Sequence, residues 1–293
     1  MTTEARIHDL GYRRYEGPRS GVGSVMADLG WHAIQRVLGL KRAARHKIVP
    51  VVTILLCFVP ALVFVGMAAL LPTSLLEDDI LPSYAEYYGF IVVVIWLFTS
   101  FVAPEAICTD RRTGMLALYL ATPLTRTTYV VSKLTAVITT ILMVSLLPSL
   151  FLLLAYTVEG AGPDGVADFV ETLGRISVAG LLIAIYFGAY SAMVSSFTPR
   201  RSMASAAIVI SFLMSGVIST TLIDGTDFND RIALINVATL PIRASFFILG
   251  EQPEGSRGLA VVNGSLVLLV TVSVAVASAA VTWWRYQRLE VDR

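Results

Sequence analysis

The chain has 293 residues, of which 56% are hydrophobic and 15% charged, with a mean hydropathy of +0.74. In water this composition would expose more apolar surface than its polar residues can cover, which excludes an ordinary soluble domain. The formal net charge of +1 gives no basis for a nucleic-acid partner, so the distribution of charge carries the information.

Residues 1–48 are a polar segment too poor in core residues to fold alone. Its first part, around Gly11–Arg19, mixes turn formers and charges and reads as extended. Val25, Leu29, Trp31, Ile34, Val37 and Leu38 then recur at helical spacing, ahead of Lys41, Arg42, Arg45 and Lys47. An apolar stripe with a Trp and a basic flank predicts a helix lying in the membrane surface; the alternative is a solvated helix leading into the first span. With this charged segment in front of it, the first apolar run is expected to stay as an anchor rather than act as a cleaved signal.

Six apolar stretches without Lys, Arg, Asp, Glu or His follow: Val49–Leu71, Tyr87–Pro104, Leu134–Tyr156, Ile176–Phe197, Ala204–Leu222 and Leu259–Trp284. Five reach the roughly 20 residues a helix needs to cross a bilayer, and the second is slightly short. A charge at the bilayer centre costs a few kcal/mol or more, roughly, so clean spans with charge in the connections predict an all-α integral membrane protein. The spans form one membrane domain over 49–284, with a short tail at 285–293. Cys57 and Cys108 fall within or at the end of different spans and read as small apolar residues, not as a disulfide.

Basic residues set the orientation. Nine precede Val49; Arg111, Arg112, Arg126 and Lys133 follow the second span, Arg200 and Arg201 the fourth, and Arg285, Arg288 and Arg293 the sixth. Only Arg175, Arg231, Arg243 and Arg257 lie on the other side, so both termini are expected in the cytoplasm. The first outer loop, with Glu77, Asp78, Asp79 and Glu86, fits the exterior.

Between the second and third spans, Asp110, Arg111 and Arg112 are expected to end the helix at the cytoplasmic surface. Met115, Leu116, Leu118, Tyr119 and Leu120 then predict a short apolar helix stopped near Pro123, with Thr125 or Thr127 capping the next helix. A cytoplasm-facing helix this apolar needs a protein partner or the lipid interface to cover it. In the fourth span Gly180, Ala184, Gly188 and Ala192 fall at strict i+4 spacing and predict close helix packing, within the protomer or across a dimer. The connection Ile223–Gly258 holds two apolar segments of about ten residues, broken at Pro241. Too short to span, they suit a re-entrant or interfacial hairpin on the outer side.

Several chemistries are absent. The residues before the only lysines are Leu40, His46 and Ser132, so no phosphate-binding loop exists, and no H-E-x-x-H, C-x-x-C or G-x-S-x-G pattern occurs. The clean spans also lack the intramembrane relay of a proton-coupled carrier. The chain is therefore expected not to be an enzyme and to hold no cofactor or metal, and any energy it uses must come from another subunit.

Five segments together resemble the permease subunits of type-2 ABC exporters, among them antibiotic, polysaccharide and sodium export permeases and the nitrous-oxide-reductase maturation permease. They are Glu105 closing the second span, the Arg-Thr-Gly-Met-Leu stretch at Arg112–Leu116, the run Ala121–Arg126 leading to Ser132–Leu134, the turn Ser195–Arg201, and the opening Gly11–Gly17. The resemblance implies a bacterial cytoplasmic membrane protein and a homodimer, or heterodimer with a similar permease. It also implies a separate ABC ATPase that carries ATP and Mg. Met115–Leu120 would be the coupling helix docked on that ATPase, with Glu105 at the inner surface nearby; alternatively Glu105 pairs with Arg111 or Arg112 as a helix-end carboxylate. The function implied is ATP-driven export. The other reading is a membrane subunit that passes ATPase-driven movement to an extracytoplasmic protein.

Overall fold

The computed structural model describes residues 17, 21–70, 81–226, 230–253 and 258–289. Most of the opening Gly11–Gly17 stretch, the acidic residues Glu77–Asp79, Arg257 and Arg293 lie outside the described residues. The described chain is all helical: α1 (Val22–Val37), α2 (Ile48–Leu70), α3 (Tyr84–Arg112), α4 (Met115–Leu120), α5 (Arg126–Val158), α6 (Gly165–Ser196), α7 (Arg201–Thr226), α8 (Leu240–Leu249) and α9 (Gly264–Arg288). Six of these, α2, α3, α5, α6, α7 and α9, are long and apolar enough to cross a membrane.

Helix ends run past the apolar windows because the polar residues at their ends satisfy the terminal backbone groups. At the start of α3, the Ser83 Oγ accepts from the Glu86 backbone N–H at 3.2 Å, and Glu86 Oε2 accepts from the Ser83 N–H at 2.8 Å. Thr125 and Thr128 form the same reciprocal cap at the start of α5. The last span begins at Gly264 rather than at Leu259. There the Asn263 side chain caps the helix, while the Arg243 guanidinium takes the carbonyls of Leu259 (2.7 Å) and Val262 (3.3 Å) away from any helical ladder.

α3 is the hub, packing on α1, α2, α4, α5, α6, α7 and α8. Large side chains such as Tyr87, Tyr88, Phe98, Ile141 and Phe187 fill the centre completely. The most extensive helix pair is α5 with α6, and the small-residue ridge explains it. A Cβ on Gly188 would stand 2.8 Å from Ile138 Cγ1, and one on Gly180 3.2 Å from Leu146 Cδ1. Ala184 and Ala192 are fully buried, and Ser145 Oγ donates to the Gly180 carbonyl at 3.0 Å. The ridge thus faces α5 of the same chain. By contrast, α2, α7 and α9 keep broad exposed apolar faces.

α1 lies on α5 and α3 through Leu29, Ala33 and Val37, with Trp31 turned outward. The chain then reverses at Gly39 (φ +69°), where a side chain would strike the His46 carbonyl at 2.5 Å, and enters α2.

Between α7 and α9 the expected pair of short helices is one helix and a turn. Asp230–Ile235 is a 3₁₀ turn, and Pro241 sits in the first turn of α8 rather than breaking a helix. Proline is tolerated there because that N–H has no helical acceptor. Trp96 Nε1 donates to the Ala238 carbonyl at 3.1 Å, and the Tyr186 hydroxyl to the Val237 carbonyl at 2.9 Å. Twelve residues along α3 from Tyr84, Trp96 lies about 18 Å from that end of the helix. At the far end of α8, Glu251 Oε2 accepts from Ser83 Oγ (2.6 Å) and the Ala85 N–H (3.0 Å), and burial raises this carboxyl above the usual range. Arg175 donates to the Leu249 carbonyl at 2.8 Å.

Because Gly188 already touches Ile138, Gly188→Leu overpacks the α5–α6 seam and is expected to cost roughly 1–3 kcal/mol. A wild-type melting temperature for this variant in detergent would show that the seam yields freely.

Candidate functional site

The charged residues at the end of the bundle beside α4 are drawn into one network. Asp110, two residues from the end of α3, is fully buried. Its Oδ1 receives Arg36 Nη1 at 2.6 Å from α1. Its Oδ2 receives Lys133 Nζ at 2.6 Å and the Tyr129 hydroxyl at 2.9 Å, both from α5. The second arm of Arg36 donates to the carbonyls of Ala106 (2.9 Å) and Glu105 (3.2 Å). A Pro sits at 104 within α3, and this guanidinium holds the helix on the residues just after it.

Glu105, one and a half turns earlier on α3, is nearly buried and bridges two further elements. Arg42 Nη1, from the connection after α1, reaches its Oε1 at 3.0 Å, and Arg201 Nη1, at the start of α7, reaches its Oε2 at 2.5 Å. The Arg201 guanidinium also stacks over Phe101 at 4.5 Å from the ring centre. Glu105 therefore does not pair with Arg111 or Arg112. Arg111 Nη1 instead donates to the Ser196 carbonyl at 2.6 Å and caps the end of α6.

Two carboxylates thus hold four cations from α1, its following connection, α5 and α7. Leaving Asp110 or Lys133 unpaired in a place this dry would cost several kcal/mol, on the order of 3–5, whereas the Arg42 and Arg201 side chains are 39% and 41% exposed and solvent screens their pairs. The network thus fixes α1 and α5 on α3 and guides where α7 begins. Asp110 is consequently not a helix-end charge at the surface, as its position before Arg111 and Arg112 suggests, but the centre of a buried cluster. The sequence signal for it was Lys133: a lone cation one or two turns inside an apolar helix needs a carboxylate nearby. Arg36 and Arg42 carry no such signal, because they sit among other basic residues of the N-terminal segment.

α4 hangs from this cluster. Gly114 (φ +70°) takes the left-handed conformation that lets α3 stop and α4 start within two residues. Leu116 and Tyr119 turn inward on the core, with the Tyr119 ring 6.0 Å from Tyr129, and Lys133 Nζ lies 5.7 Å from the Tyr119 ring centre. Burial, then the nearby Asp110 charge, raises the Tyr119 hydroxyl above its ordinary value. Met115 and Leu120 are half-buried, and Leu118 points away with 59% of its surface exposed. Past α4, Arg126 Nη1 donates to the carbonyls of Tyr286 (3.2 Å), Gln287 (2.7 Å) and Leu289 (2.7 Å), tying the start of α5 to the end of α9.

The profile of the ABC-2 family transporter proteins matches residues 70–282, which include α3 to α8 in full and most of α9. The chain belongs to the ABC-2 transporter family. No curated protein matches it. As an ABC-2 family member it is a multi-pass membrane permease subunit of an ABC transporter, and its family implies an ABC ATPase subunit as partner. Among the described residues no group of three or more His, Cys, Asp or Glu side chains is placed to hold a metal.

Asp110→Ala strands Arg36 and Lys133 in a buried site, so a loss of about 3–5 kcal/mol and of most folded yield is expected. Pairing it with Lys133→Met should recover part of that loss. Equal yields of Asp110→Ala and wild type by size-exclusion chromatography would show that the cluster does not hold the fold.

Proposed function

We propose that the chain exports a substrate across the bacterial cytoplasmic membrane, driven by ATP and Mg bound on a separate ATPase that docks on α4. The observation that carries this reading is the position of α4. It is a short helix with an exposed leucine, connected directly to α3 and α5 and seated on the cluster that holds α1 and α7. A push on α4 reaches the hub helix without passing through a flexible linker, since α3 and α5 flank it within a few residues on either side.

The transport path lies between this chain and a second permease copy. Fully buried Tyr88, Phe98, Ile141 and Phe187 close the middle of the single bundle, leaving no room for a passage there. Closing the two ATPases then moves each bundle as a rigid body and opens the path between them. The excess of basic residues on the α4 side of the sequence supports a cytoplasmic position for that end and for both termini. Glu105, Asp110 and Arg111 stiffen the base of the coupling helix, with Arg112 exposed at the same inner surface, and Gly180, Ala184, Gly188 and Ala192 keep α5 and α6 moving together.

Leu118 is the residue to test, because Leu116 and Tyr119 pack on the core and their substitution would disturb the fold. Leu118→Asp should remove a buried contact worth roughly 1–3 kcal/mol from the docked state, about a 5- to 150-fold weaker hold on the ATPase. Unchanged co-purification together with unchanged ATPase stimulation would sink the assignment of α4. For orientation, Asp164→Cys should react with an impermeant thiol reagent from outside and Ala117→Cys only after permeabilisation. The native Cys57 and Cys108 are buried and leave a low background. The reverse labelling pattern would invert the topology.

A further inference from the structure

Beside the Glu105 ion pairs, the last turn of α3 and the first of α7 enclose a notch of about 740 Å³, lined by Arg111, Arg112, Pro199, Arg200, Arg201 and Ser202. Four guanidiniums meet there, and their other commitments differ. Arg111 is held by the Ser196 carbonyl, and Arg201 by Glu105 and the Phe101 ring. Arg112 and Arg200 are exposed and, among the described residues, have no ion pair to a carboxylate. Of the four, only Arg201 is bonded to a carboxylate, Glu105, which it shares with Arg42; Arg111 and Arg201 hold the walls while Arg112 and Arg200 are available to an anion.

The surroundings of the notch say which kind of anion. Phe197, two residues before Pro199, is 54% exposed, and Met203, next to Ser202, is 53% exposed. From Met203 an exposed apolar line continues down α7 through Ile210, Met214 and Val217, at the spacing of a single helix face. Charge at the end of a spanning helix with an apolar line running into the bilayer matches a ligand anionic at one end and hydrocarbon at the other. A water-soluble protein surface would satisfy the arginines and leave that line uncovered. Guanidinium forks suit the non-bridging oxygens of a phosphate.

We infer that this notch binds the phosphodiester headgroup of an anionic phospholipid, with its acyl chains lying along the Met203–Val217 face of α7. The inference needs α7 to span the membrane but does not depend on the ATPase contact at α4. Its consequence is that the Glu105 clasp, which shares Arg201 with the notch, is set against the lipid surface as well as against the connection after α1.

The test uses the full chain, purified in neutral detergent. Bound lipid is measured by mass spectrometry after mixing with equal phosphatidylglycerol and phosphatidylcholine, with and without inorganic phosphate. Wild type should retain phosphatidylglycerol preferentially, and inorganic phosphate should not displace it. Arg112→Gln/Arg200→Gln should lose the preference on the order of tenfold, with Arg111 and Arg201 left in place. Should that variant fold poorly, as judged by its melting temperature, Arg200→Gln alone, in an exposed turn, should show a smaller loss in the same direction. Equal retention of the two lipids by wild type overturns the inference, as does unchanged retention by the variants. Displacement by inorganic phosphate would mean a free-anion site and overturns the lipid assignment. A variant that keeps its lipid but no longer co-purifies with the ATPase would mean a protein contact, which overturns it equally.

Discussion

A carboxylate sealed from water must be paired, and this requirement at Asp110 organises one end of the molecule. The cost of burying it is offset only while Arg36, Lys133 and Tyr129 all reach it, so α1 and α5 can take few positions relative to α3. Glu105 repeats the constraint one and a half turns away, and extends it to α7 through Arg201. Hydrophobic burial contributes most of the fold's stability, but it is non-directional. Direction and register at this end come from the ions.

At the opposite end, neutral and singly charged hydrogen bonds do similar work. Glu251 joins the end of α8 to the first turn of α3, and Arg175 joins it to α6. Between the two ends, small residues bring α5 and α6 together closely enough for carbonyl and hydroxyl to meet, as at Ser145 and Gly180. The helices that remain outside, α2, α7 and α9, present leucine, valine and isoleucine to whatever surrounds the bundle.

The six spans were legible because clean apolar stretches of about 20 residues have few other uses. α4 was legible for the opposite reason: Met115–Leu120 is apolar but far too short to span, and Gly114 and Pro123 delimit it. The pairing of charges was not. Composition places Arg36, Arg42 and Arg201 near a membrane surface, yet nothing in their spacing says that α1 would lie across α3 or that α7 would begin beside Glu105. Those contacts join residues more than 60 positions apart, and no local rule selects them. The same holds for Pro241, whose meaning depends on whether a helix begins or continues there.

The connection before α8 has a mechanical consequence. Its Val237 and Ala238 carbonyls are held by Tyr186 and Trp96, side chains well inside the lengths of α6 and α3. Ala238 and Tyr186 are buried, so no water stands ready to replace a hydrogen bond that is pulled away there. Sliding this turn past either helix would strand two acceptors and two donors at once. The turn, α8 and the bodies of α3 and α6 therefore travel as one piece, and the surfaces along which a neighbour can slide past that piece are the exposed apolar outer faces of α2, α7 and α9.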